Sequence, residues 1–323
     1  MRYITQDDFI ETFSKLKQRG LGFLLSKFSL NESKRTISAF NEWDIEGSNW
    51  WMIPAVQQRW NFLITGSAHL TYEQYLAQKY LSTKQTGTLL SIGSGTCSHE
   101  TEMARLCKNW QFHCTDIAGD LLKEAKSLAQ NEEIDNIFFY ETDVTKQELP
   151  GSAFDIVFFH SSLHHIPHVH QFLNNIILPI IKDEGLVIIN EYTGPDRLQY
   201  PLHQINAINE LLKIIPASKR ERYKRKAIKN TVSGPGLWRM IVADPSECVD
   251  SSSILPSLHE LMHTIEEKPM GGNLLMLLFK DISHHFITHD SATRQLLDIL
   301  FKAEDTYLLN NQSDFIFGVY RKK

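Results

Sequence analysis

Thr88-Leu89-Leu90-Ser91-Ile92-Gly93-Ser94-Gly95-Thr96-Cys97 is the stretch that decides the fold. Leu89, Leu90 and Ile92 form a short apolar run of the kind carried by a strand buried on both faces, and the run stops at a Gly-Ser-Gly turn. A helix from about Ser98 to Lys108 follows. The first glycine permits a tight turn and the second lets backbone approach a ligand closely. The start of the helix then offers N–H groups to the ligand's polar atoms.

The same rhythm continues outward. Phe112 to Thr115 reads as a second strand ending in Asp116, which lies 23 positions after Gly93. That spacing suits a carboxylate accepting from both hydroxyls of an adenosine ribose. Gly119 to Ala129 is predicted helical. Ile137 to Tyr140 is a third strand ending near Asp143, where an adenine edge would lie. Phe154 to His160 is a fourth strand, Val169 to Ile181 a helix interrupted by Pro179, and Gly185 to Tyr192 a fifth strand. Strands alternating with helices in this way make an α/β, doubly wound, mostly parallel sheet. His263 to Lys268 and Phe315 to Tyr320 are two further strand candidates.

Residues 1–85 show helical and polar texture without strand alternation, and they are expected to form an N-terminal helical cap. Its apolar positions include Leu16, Leu21, Phe23, Leu24, Phe28 and Leu30, then Trp43, Trp50, Trp51 and Trp60. Residues 86–323 are expected to form the Rossmann-like domain. The segment at about 193–262 is too long for a simple crossover and reads as a helical insertion, with Ile205, Ile208, Leu211, Leu212 and Ile215 on one face.

Composition narrows the function. The chain has 323 residues, a formal charge of −5 and four cysteines, none in a CxxC pair. The acidic balance makes a nucleic-acid partner the less favoured expectation. The cysteines read as reduced thiols. The start of the chain lacks a basic segment followed by an apolar run, and no stretch approaches a membrane span, so a cytoplasmic location is expected.

A dinucleotide fingerprint would place a third glycine at position 98, where this chain has Ser98. The Gly93 loop instead resembles motif I of class I S-adenosylmethionine-dependent methyltransferases, with Cys97 in place of the usual third glycine. Phe154-Asp155-Ile156-Val157-Phe158-Phe159-His160 resembles the family's fourth-strand motif, and Leu163-His164-His165-Ile166 the segment that often follows it. Gly185-Leu186-Val187-Ile188-Ile189 is similar to the family's fifth strand. The resemblance covers about residues 86–192. It implies a seven-stranded sheet whose last strand is antiparallel, with S-adenosyl-L-methionine as cofactor and S-adenosyl-L-homocysteine as product. It also implies a cofactor site lined by Ser91, Gly93, Ser94, Gly95, Asp116, Ile117, Asp143, Val144 and His160. Trp50, Pro54, Arg59, Asn61 and Gly66, the runs Glu191 to Pro195 and Asp244-Pro245-Ser246-Glu247, and Lys268 to Gly272 resemble a bacterial subfamily of small-molecule methyltransferases.

The acceptor must sit past the ends of strands four and five. His164 and His165 are the candidate general bases, because imidazole titrates near working pH; the plain alternative is a histidine satisfying backbone under the loop. Glu191 is the third catalytic candidate, to orient an acceptor hydroxyl or amine, unless it is only an ion-pair partner. Tyr192, Arg197, Trp51 and Arg59 are the substrate-binding candidates, Arg197 as an anchor for an anionic group or a tie to an acid. The tryptophans wall a pocket or pack helices. No metal is expected: five histidines fall between 160 and 170, but Pro167 interrupts them and no cysteine or acidic cluster joins. The basic run from Lys219 to Lys229 is a solvated face or a grip for nucleic acid or phosphate.

The acceptor is expected to be a small molecule such as a sugar or another hydroxylated metabolite, methylated on oxygen or nitrogen. The rivals are an RNA or protein methyltransferase, a cofactor-binding partner without catalysis, and a nicotinamide oxidoreductase.

Overall fold

The computed structural model describes residues 1–19, 48–146, 149, 151, 153–225, 227–288 and 290–323. The expectations at Leu21, Phe23, Leu24, Phe28, Leu30 and Trp43 lie outside the described residues.

Seven strands form one sheet: β1 (Gly87–Ile92), β2 (Trp110–Asp116), β3 (Ile137–Glu141), β4 (Phe154–His160), β5 (Ile181–Tyr192), β6 (Met262–Gly271) and β7 (Phe315–Lys322). Their order is β3-β2-β1-β4-β5-β7-β6. The pairs β1–β2, β1–β4, β2–β3 and β4–β5 are parallel, while β7 is antiparallel to both β5 and β6. This is the doubly wound, mostly parallel sheet that the strand rhythm predicts, with the antiparallel last strand that the family resemblance implies. The strand order reverses between β1 and β4, so the Gly93 loop and the His160 end of β4 share the switch-point crevice.

Alternation along each strand builds two apolar layers. Leu89, Ile156, Phe158 and Phe317 face one side, with Phe112, Met103 and Leu122. Leu90, Val157, Phe159 and Ile189 face the other, with Leu173 and Leu258. The helices α1 (Gln6–Arg19), α2 (Pro54–Thr65) and α3 (Tyr72–Lys79) precede the sheet, and α4 (Ser98–Leu106) and α5 (Gly119–Asn131) follow β1 and β2. Ile64, Tyr72, Leu76 and Leu81 belong to the first apolar layer, so these N-terminal residues share a core with the sheet. Tyr75, Lys79 and Tyr80 all bond Glu266 of β6.

Beyond α6 (Val169–Phe172) the chain departs from the expected helix. A π turn spans Leu173–Ile177, and β5 begins at Ile181, paired with Phe154, rather than at Gly185. Pro179 lacks the donor a continuing helix needs, and the chain turns extended two residues later. The insertion carries α7 (Leu202–Ile214), α8 (Leu237–Ala243) and α9 (Ile254–Leu261). After β6 come α10 (Leu275–Phe279) and α11 (Ser291–Leu308). Trp50, Ile53 and Val56 join Ile205, Ile208, Phe279, Leu297 and Leu300 in a third apolar cluster, built from the segments flanking the sheet.

Candidate active site

The loop from Gly93 to Cys97 is held from beneath. Gly93 and Ser94 both donate their N–H to the Thr115 carbonyl, at 2.8 and 3.0 Å. Gly95 N–H donates to Asp116 Oδ2 at 2.8 Å, and Ala118 N–H to Asp116 Oδ1 at 2.7 Å. Gly93, Gly95 and Cys97 all have positive φ. A Cβ on Gly95 would meet nothing within 4 Å, so that side of the loop is open, whereas one on Gly93 would strike Ser162 Cβ at 2.6 Å. Burial raises the Asp116 carboxyl above its ordinary value against the pull of the Ala118 and Gly95 N–H groups. Ser91 turns its hydroxyl away, donating to Glu100 Oε1 at 2.6 Å under the loop. Glu100 is buried with Oε2 unpartnered, and burial raises its carboxyl.

At the end of β4, His160 Nδ1 lies 2.8 Å from the Tyr72 hydroxyl, and its ring packs tilted against His99 with centroids 3.8 Å apart. His99 is in turn held by Glu73 at 2.7 Å. Burial, with His99 nearby, drives His160 well below the ordinary imidazole value, so it stays neutral. Asp143 bonds the Thr145 hydroxyl at 2.6 Å and Lys146 at 2.7 Å, and these contacts lower it against burial. Val144 is buried beside it.

A second centre lies where β4 and β5 end. Glu191 is completely buried. Its Oε1 accepts from the N–H groups of Ser162 and Leu163 at 2.5 and 2.7 Å, and its Oε2 lies 2.7 Å from His164 Nδ1. A carboxylate can only accept here, so His164 donates Nδ1–H, and in the neutral ring the lone pair sits on Nε2. Burial disfavours the imidazolium, but Glu191 outweighs it and raises His164 above the ordinary value. His165 moves the other way, lowered by burial and by His164. The segment Asp244–Val249 closes over this pair. Val249 N–H donates to the His164 carbonyl at 3.1 Å, and Ser246 Oγ lies 3.0 Å from His165 Nδ1. Glu247 stands 4.0 Å from His164 Nε2 and 3.8 Å from His165 Nε2.

A family model described as "Methyltransferase domain" matches residues 83–267. The chain belongs to the class I S-adenosylmethionine-dependent methyltransferases. No curated protein matches it. Solved structures with a similar fold include the [4+2]-cyclase SpnF, at 15% identity over 78% of this chain and 80% of that one, with a TM-score of 0.46. An O-methyltransferase from a trans-AT PKS multienzyme of Brevibacillus brevis matches at 11% over 78% and 71%, with a TM-score of 0.44. The plantazolicin methyltransferase BpumL matches at 14% over 90% and 96%, with a TM-score of 0.44.

S-adenosylmethionine suits the loop of this methyltransferase. The open side of Gly95 admits a ligand against backbone, and each Asp116 oxygen keeps a second lone pair for a ribose hydroxyl. When bound, the cofactor supplies a methyl group on a sulfonium sulfur.

The structure brings His164, His165 and Glu191 together and sets Arg197 beside them, its Nη1 donating to the Glu247 carbonyl at 3.2 Å. Tyr192 is buried, and its hydroxyl donates to the Pro195 carbonyl. Arg59 turns to α11, where it bonds Asp305 at 2.5 Å and lies over the Phe301 ring. Trp51 packs beside the third apolar cluster, and Trp50 and Trp60 meet edge to face at 4.5 Å. Sequence reasoning gave no role to Tyr72, Glu73, His99, Glu100, Ser162 or Glu247. Asp244-Pro245-Ser246-Glu247 stood out only as a family likeness.

Proposed function

We propose that this methyltransferase acts on an oxygen or nitrogen of a small, hydroxylated or amine-bearing acceptor in the cytoplasm. The acceptor would lie between the ends of β4 and β5 and the segment 193–262, with residues 1–85 as a cap on the same side. One observation carries the reading: the wholly buried Glu191 fixes His164 so that Nε2 is the basic atom at the strand ends. Such a pair suits removal of an acceptor proton as methyl transfer proceeds, while the fold supplies proximity and alignment.

Three cations of the basic run are engaged within the fold, which weakens the support that the run gives to a rival RNA acceptor. Arg222 bonds Asp281, and Lys229 is buried against the carbonyls of Leu277, Leu278 and Lys280. Lys219 donates to the Thr293 hydroxyl.

The test is methyl transfer from labelled S-adenosylmethionine across a panel of small alcohols, sugars and amines. A positive acceptor should lose roughly 100-fold or more in turnover with His164→Ala, while calorimetric cofactor affinity stays unchanged. Turnover that survives His164→Ala would remove the pair from the chemistry. Methylation confined to RNA would overturn the small-molecule reading.

A further inference from the structure

The His164 lone pair does not stand alone. Ser246 Oγ donates to Asp244 Oδ1 at 2.7 Å, so it accepts from His165 Nδ1–H, and the lone pair of His165 also sits on Nε2. Both Nε2 atoms therefore turn towards the Glu247 carboxylate, at 4.0 and 3.8 Å. Those separations are too long for hydrogen bonds. One donor atom from each of His164, His165 and Glu247 lies within 4.8 Å of the other two. Two donors each about 2.1 Å from one ion stand roughly 3–4 Å apart. The gap between the imidazoles and the carboxylate is thus the gap that one ion would span after small side-chain shifts.

The surroundings match a metal centre more closely than a chance meeting of side chains. A metal-bound histidine usually donates its other ring N–H to a carboxylate or a similar acceptor, which fixes both tautomer and ring. His164 has Glu191 in that place, and His165 has Ser246 backed by Asp244. The two rings lie 4.3 Å apart and are tilted by 38°, close enough for one cation to reach both. The Glu247 side chain is 29% exposed against 9% for His164, so the cluster is reached by solvent from the Glu247 side, which leaves a position for an outside ligand.

We propose that His164 Nε2, His165 Nε2 and Glu247 hold a first-row divalent cation of the zinc or cobalt type. Two imidazoles and one carboxylate favour these ions over magnesium, which prefers all-oxygen surroundings. The site stands on its own geometry; its purpose rests on reading this end of the sheet as the acceptor site. There the cation would bind an acceptor hydroxyl and lower its pKa, so that the proton leaves to solvent more readily. With the cation bound, the His164 Nε2 lone pair is taken up as a ligand, and the ion would activate the acceptor in place of the free imidazole.

The test is titration of the metal-depleted full chain with cobalt(II), followed by visible absorbance, with zinc as competitor. One cobalt per chain is expected, displaced by zinc, with weak visible bands and no strong near-ultraviolet sulfur band. Glu247→Gln should weaken binding more than tenfold, and Glu191→Gln about 10–100-fold through the loss of His164 orientation. S-adenosylmethionine titration of both variants checks folding and the cofactor site independently of the metal. Absence of a cobalt spectrum up to millimolar metal overturns the proposal, as does binding indifferent to Glu247→Gln. A strong sulfur band overturns it too, because it would place the metal at the buried Cys97, Glu100 and Cys114 group. Metal binding without methyl transfer to any acceptor would retain the site and refute its purpose.

Discussion

Gly93 has no room for a side chain. Its φ is +68°, and a Cβ there would stand 2.6 Å from Ser162 Cβ, whose hydroxyl donates to the Ile92 carbonyl. Gly93→Ala should cost about 2 kcal/mol or more in denaturant unfolding, because strain and overlap add. It should also weaken S-adenosylmethionine binding, because the loop must move. Asp116→Ala acts differently: it removes the acceptor that holds Gly95 and Ala118, and with it the carboxylate expected to accept from a ribose hydroxyl. Calorimetry should show about 100-fold weaker cofactor binding, the worth of one or two hydrogen bonds to a charged group. Unchanged affinity would place the ribose elsewhere. Gly93, Gly95 and Asp116 were legible in the sequence because their pattern is local: a strand, a glycine turn and the next strand end. Tyr72 was not, since it reaches His160 across 88 positions. Glu247 was not, because a carboxylate in a long insertion carries no signal of where the chain will bring it.

At the scale of elements, apolar runs made the strands readable, while their ends depended on partners far away. β5 begins at Ile181 because Phe154 of β4 pairs with it, and Lys182 then reaches Asp155. Asp155 is the polar pin of this corner. It accepts from Lys84 at 2.6 Å, Lys182 at 2.7 Å and the Thr88 N–H at 2.9 Å, which joins β1, β4 and β5. Burial works against its charge, but these partners win and lower it from 3.8 to about 2. Its folded value lies below its unfolded one. The stability it contributes is therefore present above about pH 4 and lost as pH falls towards 2. Asp155→Asn should lower unfolding free energy by about 1–2 kcal/mol at neutral pH, allowing for the partly exposed lysines. The difference between the two proteins should shrink as the solution is acidified through that window. A constant difference would mean that shape, and not charge, holds the corner. The five-residue α10 depends on distant polar side chains in the same way. Buried Glu304 accepts from the N–H groups of Gly272, Leu274 and Leu275 at its start, and buried Lys229 donates to three carbonyls at its end. A helix of that length has little stability alone, and the two side chains satisfy free N–H groups at its start and free carbonyls at its end.

Across the whole molecule, the chain's beginning and its insertion meet. Asp7 accepts from the N–H groups of Ser233 and Gly234, and the Thr5 hydroxyl donates to the Gly234 carbonyl. Asp8 is the centre of the junction: Oδ1 accepts from Gly236 N–H and Arg239 Nε, each at 2.8 Å, and Oδ2 from Thr5 N–H. It is buried, so its loss would leave three donors without their acceptor. The junction involves segments that flank the sheet and not the Gly93 loop. The sheet has two apolar layers of its own, and the third cluster gathers Trp50, α7, α10 and α11. This arrangement predicts that damage at the junction is separable from damage at the cofactor site. Asp8→Ala should lower stability by about 2–3 kcal/mol and leave S-adenosylmethionine affinity within about twofold, a difference of roughly 0.4 kcal/mol. If residues 1–85 and 193–262 together cover the acceptor, the same variant should raise the acceptor KM more than it lowers kcat, because the cover loosens while the reacting groups stay in place. A loss of cofactor affinity parallel to the loss of stability would show instead that the two regions and the sheet behave as one cooperative unit.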